Sequence, residues 1–246
     1  MAEAEMEISG TQLAGRDDTG HTARPHVRPR VLMSWSSGKD SAWALHRLRT
    51  RGEIDVVGLL TTFNAQFDRV AMHGVRRRLV EAQARSVGLP LIAVPLPWPC
   101  SNQQYEEAMR KALDHARRRL KVTHVAFGDL YLEDIRAYRE ERMREAGMVP
   151  LFPLWGEPTD QLARQMIGSG LRAYVVCVDP TRLPGTFAGR PFDARLLADL
   201  PADVDPCGEQ GEFHTFACGG PVFSQPVPVR VGKVVERDGF VFADLL

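Results

Sequence analysis

The segment from residue 31 to residue 45 constrains the fold of this chain more than any other. An apolar run, 31–35, leads into the small residues 36–38, and the start of an apolar-periodic helix follows Ser41. Small side chains and a glycine allow backbone N–H groups to approach an anion closely, and a helix start presents its partial positive charge to the same point. The order strand, short loop, helix therefore predicts a phosphate-binding loop at the end of a buried strand.

The residues of this loop supply further groups for binding phosphates. Lys39 carries a full positive charge, the serine hydroxyls are hydrogen-bond donors, and the carboxylate of Asp40 is a suitable ligand for Mg²⁺. The spacing differs from the common pattern G-x-x-x-x-G-K-[ST], because an aspartate follows Lys39. A polar turn with a surface lysine is the alternative interpretation. The predicted nucleotide contacts in this loop are Ser36, Ser37, Gly38, Lys39, Asp40 and Ser41.

Apolar runs of strand length alternate with helical patterns between residues 30 and 130. One of the helices begins with a capping box, since Ser101 precedes Gln104 by three positions. Strands that alternate with helices form right-handed β-α-β units, which build a parallel sheet with helices on both faces. We therefore predict a Rossmann-like α/β domain over 30–130. The less regular residues 131–246, with a hairpin over 227–242, predict a smaller α+β lobe that binds the substrate.

Two more sequence features fall at the ends of predicted strands. Thr61 lies near the end of the second strand, and Gly128-Asp129 follows directly after the fourth. In a parallel sheet, ligands bind beyond the carboxyl ends of the strands, near a topological switch point. We therefore expect Thr61, Gly128 and Asp129 to join the phosphate loop in one nucleotide site.

Composition and charge argue against several classes of protein. The chain has 246 residues and a formal net charge of zero, so no overall field attracts nucleic acid or an anionic membrane. Its four cysteines form no C-x-x-C pair, which indicates a reduced, cytoplasmic protein. Four prolines between residues 90 and 99 exclude a membrane helix there. Residues 1–29 contain five acidic side chains without apolar periodicity, and this predicts a disordered tail.

A second group of polar residues lies far along the chain. Glu209, Glu212 and His214 fall within six positions, among two glycines that free the backbone to bend. Such a cluster can bind an ammonium ion, act as a general base or hold a metal. A polar turn with solvated carboxylates is the alternative.

The two motifs together resemble a known family. Residues 36–41 are similar to the S-G-G-K-D-S signature of the ATP-pyrophosphatase (PP-loop) superfamily, whose domain is Rossmann-like (HUP-type). Residues 208–215 resemble the G-E-x-G-E-[FY]-H-T signature of the diphthine–ammonia ligase family. The resemblance extends over residues 31 to about 225 and includes Gly128-Asp129, Arg136 with Glu140, and Pro153-Leu154-Trp155.

The sequence departs from this family at two places. Ser37 stands where a second glycine is usual, and a serine costs little there if its φ angle stays negative. The family's Tyr-Gln-Arg string appears here as 134–136, which keeps only the arginine. Because that helix is expected to line the substrate side, the identity of the acceptor stays open.

The resemblance implies a mechanism with ATP and Mg²⁺. A carboxylate is adenylated, pyrophosphate leaves, and ammonia displaces AMP to give an amide. The implied partners are ATP, ammonium and an unidentified carboxylate acceptor that enters between the two halves; self-association is compatible with the sequence, and neither a membrane nor nucleic acid is expected. Closure of the second half would keep water from the acyl-adenylate. The implied catalytic residues are Lys39, Glu209, Glu212 and His214, with Asp40 as a magnesium ligand.

Two other functions are compatible with the phosphate loop. A sulfur-transfer enzyme of the PP-loop type would use Cys177 or Cys207 as a nucleophile, but it would also need a basic RNA-binding face. A nonenzymatic ATP or AMP sensor would need the loop alone. The acidic cluster at 209–214 favours an enzyme over a sensor, because a sensor has no use for it.

Overall fold

A computed structural model describes residues 28–71 and 73–246 of the chain. The predicted disordered tail, 1–29, lies almost entirely outside these residues. In the described part of the chain, no helix has the length and apolar character needed to cross a membrane.

The first sheet is parallel and carries the phosphate loop. Its strands lie in the order β4-β2-β1-β5-β6, and a short strand, β3, pairs antiparallel with the end of β2. Each strand of this sheet except β3 runs in the same direction, as the alternation of strands and helices predicts. The strands are β1 (Arg30–Ser34), β2 (Asp55–Asn64), β3 (Arg69–Val70), β4 (Leu91–Leu96), β5 (His124–Ala126) and β6 (Val149–Leu151).

Helices cover both faces of this sheet. Along β1, Val31 and Met33 pack into one core cluster and Leu32 into another, because side chains alternate between the faces of a strand. The first cluster includes helices α1 (Lys39–Arg51) and α2 (Arg77–Val87). The second includes α3 (Asn102–Leu120) and α4 (Glu133–Glu145). The Rossmann-like architecture is therefore confirmed, as is the capping box of Ser101 and Gln104 at the start of α3.

The parallel sheet continues past residue 130, where we predicted the boundary between the two halves. Strand β6 (Val149–Leu151) pairs in parallel with β5 over three residues, after the crossover through α4. Pro150 interrupts the apolar pattern of this segment, which hides its strand character in the sequence. We propose that the boundary lies after β6.

The second half forms an antiparallel sheet of four strands in the order β8-β7-β10-β9. The predicted hairpin is present, with its turn at Asp238-Gly239, where both φ angles are positive. The remaining elements are α5 (Thr159–Gly168), β7 (Arg172–Val178), a short 3-10 turn (Gly185–Phe187), α6 (Ala194–Asp199), β8 (Phe213–Gly219), β9 (Val231–Arg237) and β10 (Phe240–Leu245).

The two halves share one hydrophobic core. Trp35 and Leu45 of the first half belong to the same buried cluster as Val176 and Phe216 of the second. Separating the halves would expose this apolar surface to water, at a cost of about 25 cal/mol per Å². The structure therefore does not support the expected closing movement of the second half as a rigid body, since that half already packs on the α1/α2 face.

Candidate functional site

The phosphate loop lies at the switch point of the parallel sheet. From β1, the chain moves outward to β2 and β4 on one side, while β5 and β6 lie on the other. The residues after β1 and the pair Gly128-Asp129 after β5 therefore emerge beside each other. A Cβ atom on Gly128 would come within 3.0 Å of the backbone of Asp40 and Ser41. Glycine at 128 thus allows the second turn to lie directly on the first turn of α1.

Ser37 occupies the left-handed region of backbone space, with a φ angle of 71°. The condition under which a serine would cost little here, a negative φ angle, is therefore not met, and the cost of this conformation for a residue with a side chain is about 1 kcal/mol or more. The side chain of Ser37 is also fully buried, and its hydroxyl has no hydrogen-bond partner. The position therefore keeps the geometry that glycine normally provides, although the residue is a serine.

The carbonyl group of Ser37 has two donors from distant parts of the chain. The side-chain amide of Gln83 donates to it at 3.0 Å, and the backbone N–H of Ala217 donates to it at 2.9 Å. Gln83 lies on α2 and Ala217 on β8, so both flanking elements fix this peptide.

The other small residues of the loop bond to one another or to adjacent strands. The hydroxyl of Ser36 donates to that of Ser41 at 3.2 Å, and the hydroxyl of Ser41 donates to the carbonyl of Gly38 at 3.0 Å. The hydroxyl of Thr61 donates to the carbonyl of Trp35 at 2.7 Å. The hydroxyl of Ser36 also accepts from the backbone N–H of Gly38 at 3.3 Å, so these side chains hold the shape of the loop.

Lys39 is buried beneath the second half of the protein. Its side chain is 2 % exposed, and its Nζ atom donates to the carboxylate of Asp40 at 2.9 Å and to the carbonyl of Cys207. The rings of Phe192 and Phe213 each lie 5.4 Å from Nζ. Burial alone would lower the pKa of Lys39, but the attraction and hydrogen bond of Asp40, together with the contributions of Cys207 and Glu209, outweigh it and the net shift is upward. Lys39 is thus a fixed positive charge at the start of α1.

The carboxylates around the loop differ in their capacity to hold a metal. One oxygen of Asp40 bonds Lys39, while Oδ1 is buried without a partner. Both oxygens of Asp129 accept from Arg139, at 2.5 and 3.2 Å. Among the described residues, no group of three or more His, Cys, Asp or Glu side chains is placed to hold a metal ion. A cation here would therefore depend on Asp40 together with oxygens of a bound phosphate.

Thr215 caps helix α1 from the other half of the protein. Gly38 occupies the N-cap position and has no side chain to cap the helix. The hydroxyl of Thr215 accepts from the backbone N–H of Lys39 at 3.0 Å, across 176 positions of sequence. Residues 205–215, which we call the acid–histidine segment, are thereby bonded directly to the phosphate loop.

Glu209 lies against the turn that follows β5. Its carboxylate accepts from the backbone N–H of Leu130 at 2.7 Å. Burial raises the pKa of Glu209 to about 7, and repulsion from Asp40 adds to the shift, while the Leu130 hydrogen bond opposes it. A carboxylate with such a pKa exchanges protons near neutral pH, as a general base requires.

Glu212 is almost fully buried and has one free oxygen. Its Oε1 atom accepts from the backbone N–H of Asp205 at 3.2 Å and lies 3.9 Å from Arg182, whereas Oε2 is buried without a hydrogen-bond partner. Asp205 in turn accepts from the hydroxyl of Tyr131 at 3.0 Å. An unpartnered buried carboxylate oxygen is costly, so it marks a position where a donor can bind.

His214 stacks on a second histidine. The rings of His73 and His214 lie 4.6 Å apart and nearly parallel, and Nδ1 of His73 is 3.4 Å from the carbonyl of Thr215. Burial lowers the pKa of His214 to about 4 and that of His73 to about 3, with repulsion from His214 adding to the second shift. Both imidazoles are therefore neutral at pH 7.

Replacing His73 with phenylalanine is expected to weaken the loss of stability in acid. The unfolded chain protonates this imidazole near pH 6.5, whereas the folded protein does so only near pH 3. The folded state binds fewer protons than the unfolded chain in this interval. His73 therefore does not reduce the free energy of unfolding above pH 6.5, and it reduces that free energy progressively as the pH falls through the interval. Between pH 7 and pH 5, we expect the free energy of unfolding to decrease by about 2 kcal/mol less in His73→Phe than in the wild type.

Urea unfolding at the two pH values measures this difference, and phenylalanine preserves the stacking on His214. His115→Phe is the control, because His115 is exposed on α3. Equal pH dependence of wild type and His73→Phe would show that this imidazole protonates alike in the folded and unfolded states.

The three residues of the predicted ammonium cluster have three different neighbours. Glu209 bonds the turn after β5, Glu212 bonds the backbone of Asp205, and His214 stacks on His73. Within residues 28–71 and 73–246, no hydrogen bond or ion pair joins any two of the three side chains. Glu209 and His214 lie close enough to Lys39 to interact with its charge, and each of the three side chains has a separate environment.

The two candidate nucleophiles, Cys177 and Cys207, do not have the properties of reactive cysteines. Cys207 is 2 % exposed, and its thiol donates to the carbonyl of Thr159 at 3.4 Å. Burial raises the pKa of Cys207 far above its usual range, and burial raises that of Cys177 to about 12. Both thiols are protonated at neutral pH, which argues against the sulfur-transfer alternative.

A cavity of about 1110 Å³ opens between α3 and α4, on the face opposite the second half. Its lining includes Pro95, Phe127, Tyr138 and Arg139. Arg139 also bonds Asp129, and its guanidinium lies 4.6 Å from the ring of Phe127. Arg139 therefore connects the lining of the cavity to the turn at Gly128-Asp129, which forms one side of the switch point.

Several residues of the site were not predicted from sequence. Gln83, Arg139, Thr215 and Tyr131 contribute through hydrogen bonds to residues distant in sequence. Thr215 belongs to the second motif, which is the one available signal for it. Of the other family positions, Arg136 bonds Glu140 at 2.7 Å, and its guanidinium lies over the rings of Phe152 and Trp155.

Comparison with known proteins agrees with both motifs. Residues 29–150 match the family model described as diphthamide synthase N-terminal domain, and residues 158–241 match that described as diphthamide synthase C-terminal domain. Similar proteins include the diphthine–ammonia ligase of Bos taurus, 24% identical over 236 residues that cover 87% of this chain and 88% of the relative. The Homo sapiens protein is 24% identical over 237 residues, with coverages of 87% and 88%. The Schizosaccharomyces pombe protein is 24% identical over 226 residues, which are 85% of this chain and 37% of the longer relative.

Proposed function

The chain belongs to the diphthamide synthase family and is an ATP-dependent ammonia ligase, and from this premise we propose the chemistry that its site performs. ATP adenylates a carboxylate of the acceptor, pyrophosphate leaves, and ammonia attacks the acyl-adenylate to give an amide and AMP. The observation that carries this proposal is the direct bonding of the phosphate loop to the acid–histidine segment, through Thr215 and Cys207.

The phosphate loop would bind the β- and γ-phosphates of ATP. Its backbone follows β1 at the switch point, where the first turn of α1 presents N–H groups. The charge of Lys39, held at a fixed position beside this turn, would favour the negative charge that develops on the departing pyrophosphate. The turn at Gly128-Asp129 would lie beside the ribose.

A Mg²⁺ ion fits this site through one protein ligand. Oδ1 of Asp40 is buried without a partner, and phosphate oxygens would complete the coordination, as Mg²⁺ commonly requires. When bound, the ion would neutralise charge on the phosphates. Asp129 is a poorer ligand, because both its oxygens already accept from Arg139.

Ammonia would bind beside Glu212. Its free Oε2 atom can accept a hydrogen bond from ammonium in a buried position. Glu209, with its pKa near 7, is suited to accept the proton that ammonia releases as the C–N bond forms. His214 is neutral at this pH and can accept a hydrogen bond, but its pKa of about 4 makes it a weaker base than Glu209.

The acceptor would approach through the cavity between α3 and α4. The second half covers the opposite face and shares its core with the first, so entry between the two halves would require that core to open. Tyr138 and Arg139 of α4 line this cavity, and the departure from the family string at 134–136 lies at the start of the same helix. The residues of α4 that line this cavity would therefore determine which carboxylate the protein accepts.

Analysis of nucleotide products tests this proposal. Purified protein with Mg²⁺, ATP, ammonium and a fractionated extract is expected to form AMP and pyrophosphate, with one fraction increasing the rate. Formation of ADP and phosphate would contradict the assignment of the loop. Tight ATP binding without turnover in every fraction would instead identify a nucleotide sensor.

A further inference from the structure

We propose that Gln83 is a positioning residue that holds Ser37 in its left-handed conformation and so keeps the phosphate loop ready to bind ATP. The inference rests on the proposed function insofar as it takes this loop as the ATP site. Gln83 touches no predicted substrate, and it acts through the peptide group that follows Ser37.

The side chain of Gln83 is completely buried, and both its amide group's donors and its oxygen make hydrogen bonds to other parts of the chain. Its Oε1 atom accepts from the indole N–H of Trp35 at 2.8 Å, and its Nε2 atom donates to the carbonyls of Ser37 at 3.0 Å and Ala217 at 2.6 Å. It therefore joins the residue after β1, the phosphate loop and β8. An amide is the right group for this position, because two carbonyls and one N–H must be satisfied together.

Ser37 needs hydrogen bonds from other residues to hold its backbone conformation, because its own side chain makes none. Its φ angle of 71° is unfavourable for a residue with a Cβ atom, and its buried hydroxyl bonds nothing among the described residues. The conformation must therefore be stabilised from outside, and the donors to its carbonyl are Gln83 and Ala217. Loss of Gln83 would remove one of the two and free the peptide to turn.

The glycine usual at this position would not need the hydrogen bond from Gln83. Glycine adopts positive φ angles without a steric penalty, so the remaining bond from Ala217 would suffice to hold the loop. This gives the proposal a specific signature: Ser37→Gly should rescue ATP binding in a protein that lacks the Gln83 amide. A purely structural role for Gln83 in the core predicts no such rescue.

The test is a double-mutant cycle of wild type, Gln83→Met, Ser37→Gly and the double variant. Titration calorimetry measures the Kd for ATP with Mg²⁺, and thermal unfolding reports stability separately. We expect Gln83→Met to weaken ATP binding about tenfold when residue 37 is serine, and by less than about threefold when residue 37 is glycine. Gln161→Met, at an exposed position of α5, is the control.

Gln83→Glu provides a second variant if the methionine protein does not fold. It keeps the acceptor for Trp35 and loses both donors, so it should weaken ATP binding in the same way and be rescued by the same glycine. Additive effects, in which the double variant binds ATP as weakly as the Gln83 variant, would overturn the proposal, as would wild-type affinity in the Gln83 variants. Because this test measures ATP binding without turnover, its result can be interpreted even if the proposed ligase chemistry is wrong. A wild-type protein that binds no ATP would overturn both.

Discussion

A Lys39→Met protein is expected to release pyrophosphate at least about 100-fold more slowly than the wild type, the loss that follows removal of one fixed charge or donor at a reacting centre. Lys39 is the positive charge nearest the start of α1, and a methionine retains much of its apolar stem within the cage of Phe192 and Phe213. The change also leaves the carboxylate of Asp40 without its ion pair. The rate of pyrophosphate release at saturating ATP measures the effect.

The control for this experiment is Lys233→Met. Lys233 is exposed on β9, away from the phosphate loop and from the cavity between α3 and α4, so its loss should leave the rate within a factor of about two. Circular dichroism must show that the Lys39 variant is folded. A folded Lys39→Met protein with the wild-type rate would remove Lys39 from the mechanism and leave it as a link between the loop and Cys207.

The parallel sheet was predictable because its signal is local. Alternation of apolar strands with helical patterns and the capping box at Ser101 each depend on residues close together in sequence. Strand β6 (Val149–Leu151) gave no such signal, since it has three residues with a proline at its centre. Its pairing with β5 depends on the crossover through α4, which brings the two strands together in space.

The candidate site was predictable in its residue types and much less so in their contacts. The two motifs identify Lys39 and the acid–histidine segment, but the hydrogen bond from Lys39 to Thr215 spans 176 positions. Gln83 lies on an otherwise ordinary helix face, where a buried glutamine has no sequence signature. A positive φ angle is unusual for serine, so the sequence at Ser37 does not predict it. The contacts that accompany this conformation come from α2 and β8, which are distant in sequence.

The contacts of the three predicted ammonium ligands sharpen their proposed roles. Spacing alone placed Glu209, Glu212 and His214 together, whereas their environments differ in burial and partners. Burial raises the pKa of Glu209 and lowers that of His214. Glu209 is therefore the better general base of the two at neutral pH. The free oxygen of Glu212 distinguishes it as the position for a bound cation.

A Glu212→Gln protein is therefore expected to form the acyl-adenylate at a rate within a few-fold of wild type but to form the amide at least about 100-fold more slowly. The glutamine can keep the bond from Oε1 to the backbone of Asp205, so the loop retains its anchor. At the position of Oε2, it would present an NH₂ group, which cannot accept a hydrogen bond from ammonium.

Two assays on the same protein separate these steps. Exchange of labelled pyrophosphate into ATP, with the active acceptor fraction present, measures adenylation, and incorporation of ¹⁵N from ammonium measures amide formation. Glu236→Gln, on the exposed strand β9, should behave as wild type in both. If Glu212→Gln instead lost pyrophosphate exchange and amide formation together, Glu212 would belong to the nucleotide site. If both rates were unchanged, the buried oxygen of Glu212 would not be the place where ammonia binds, and the neighbouring carboxylate of Glu209 would be the next group to replace.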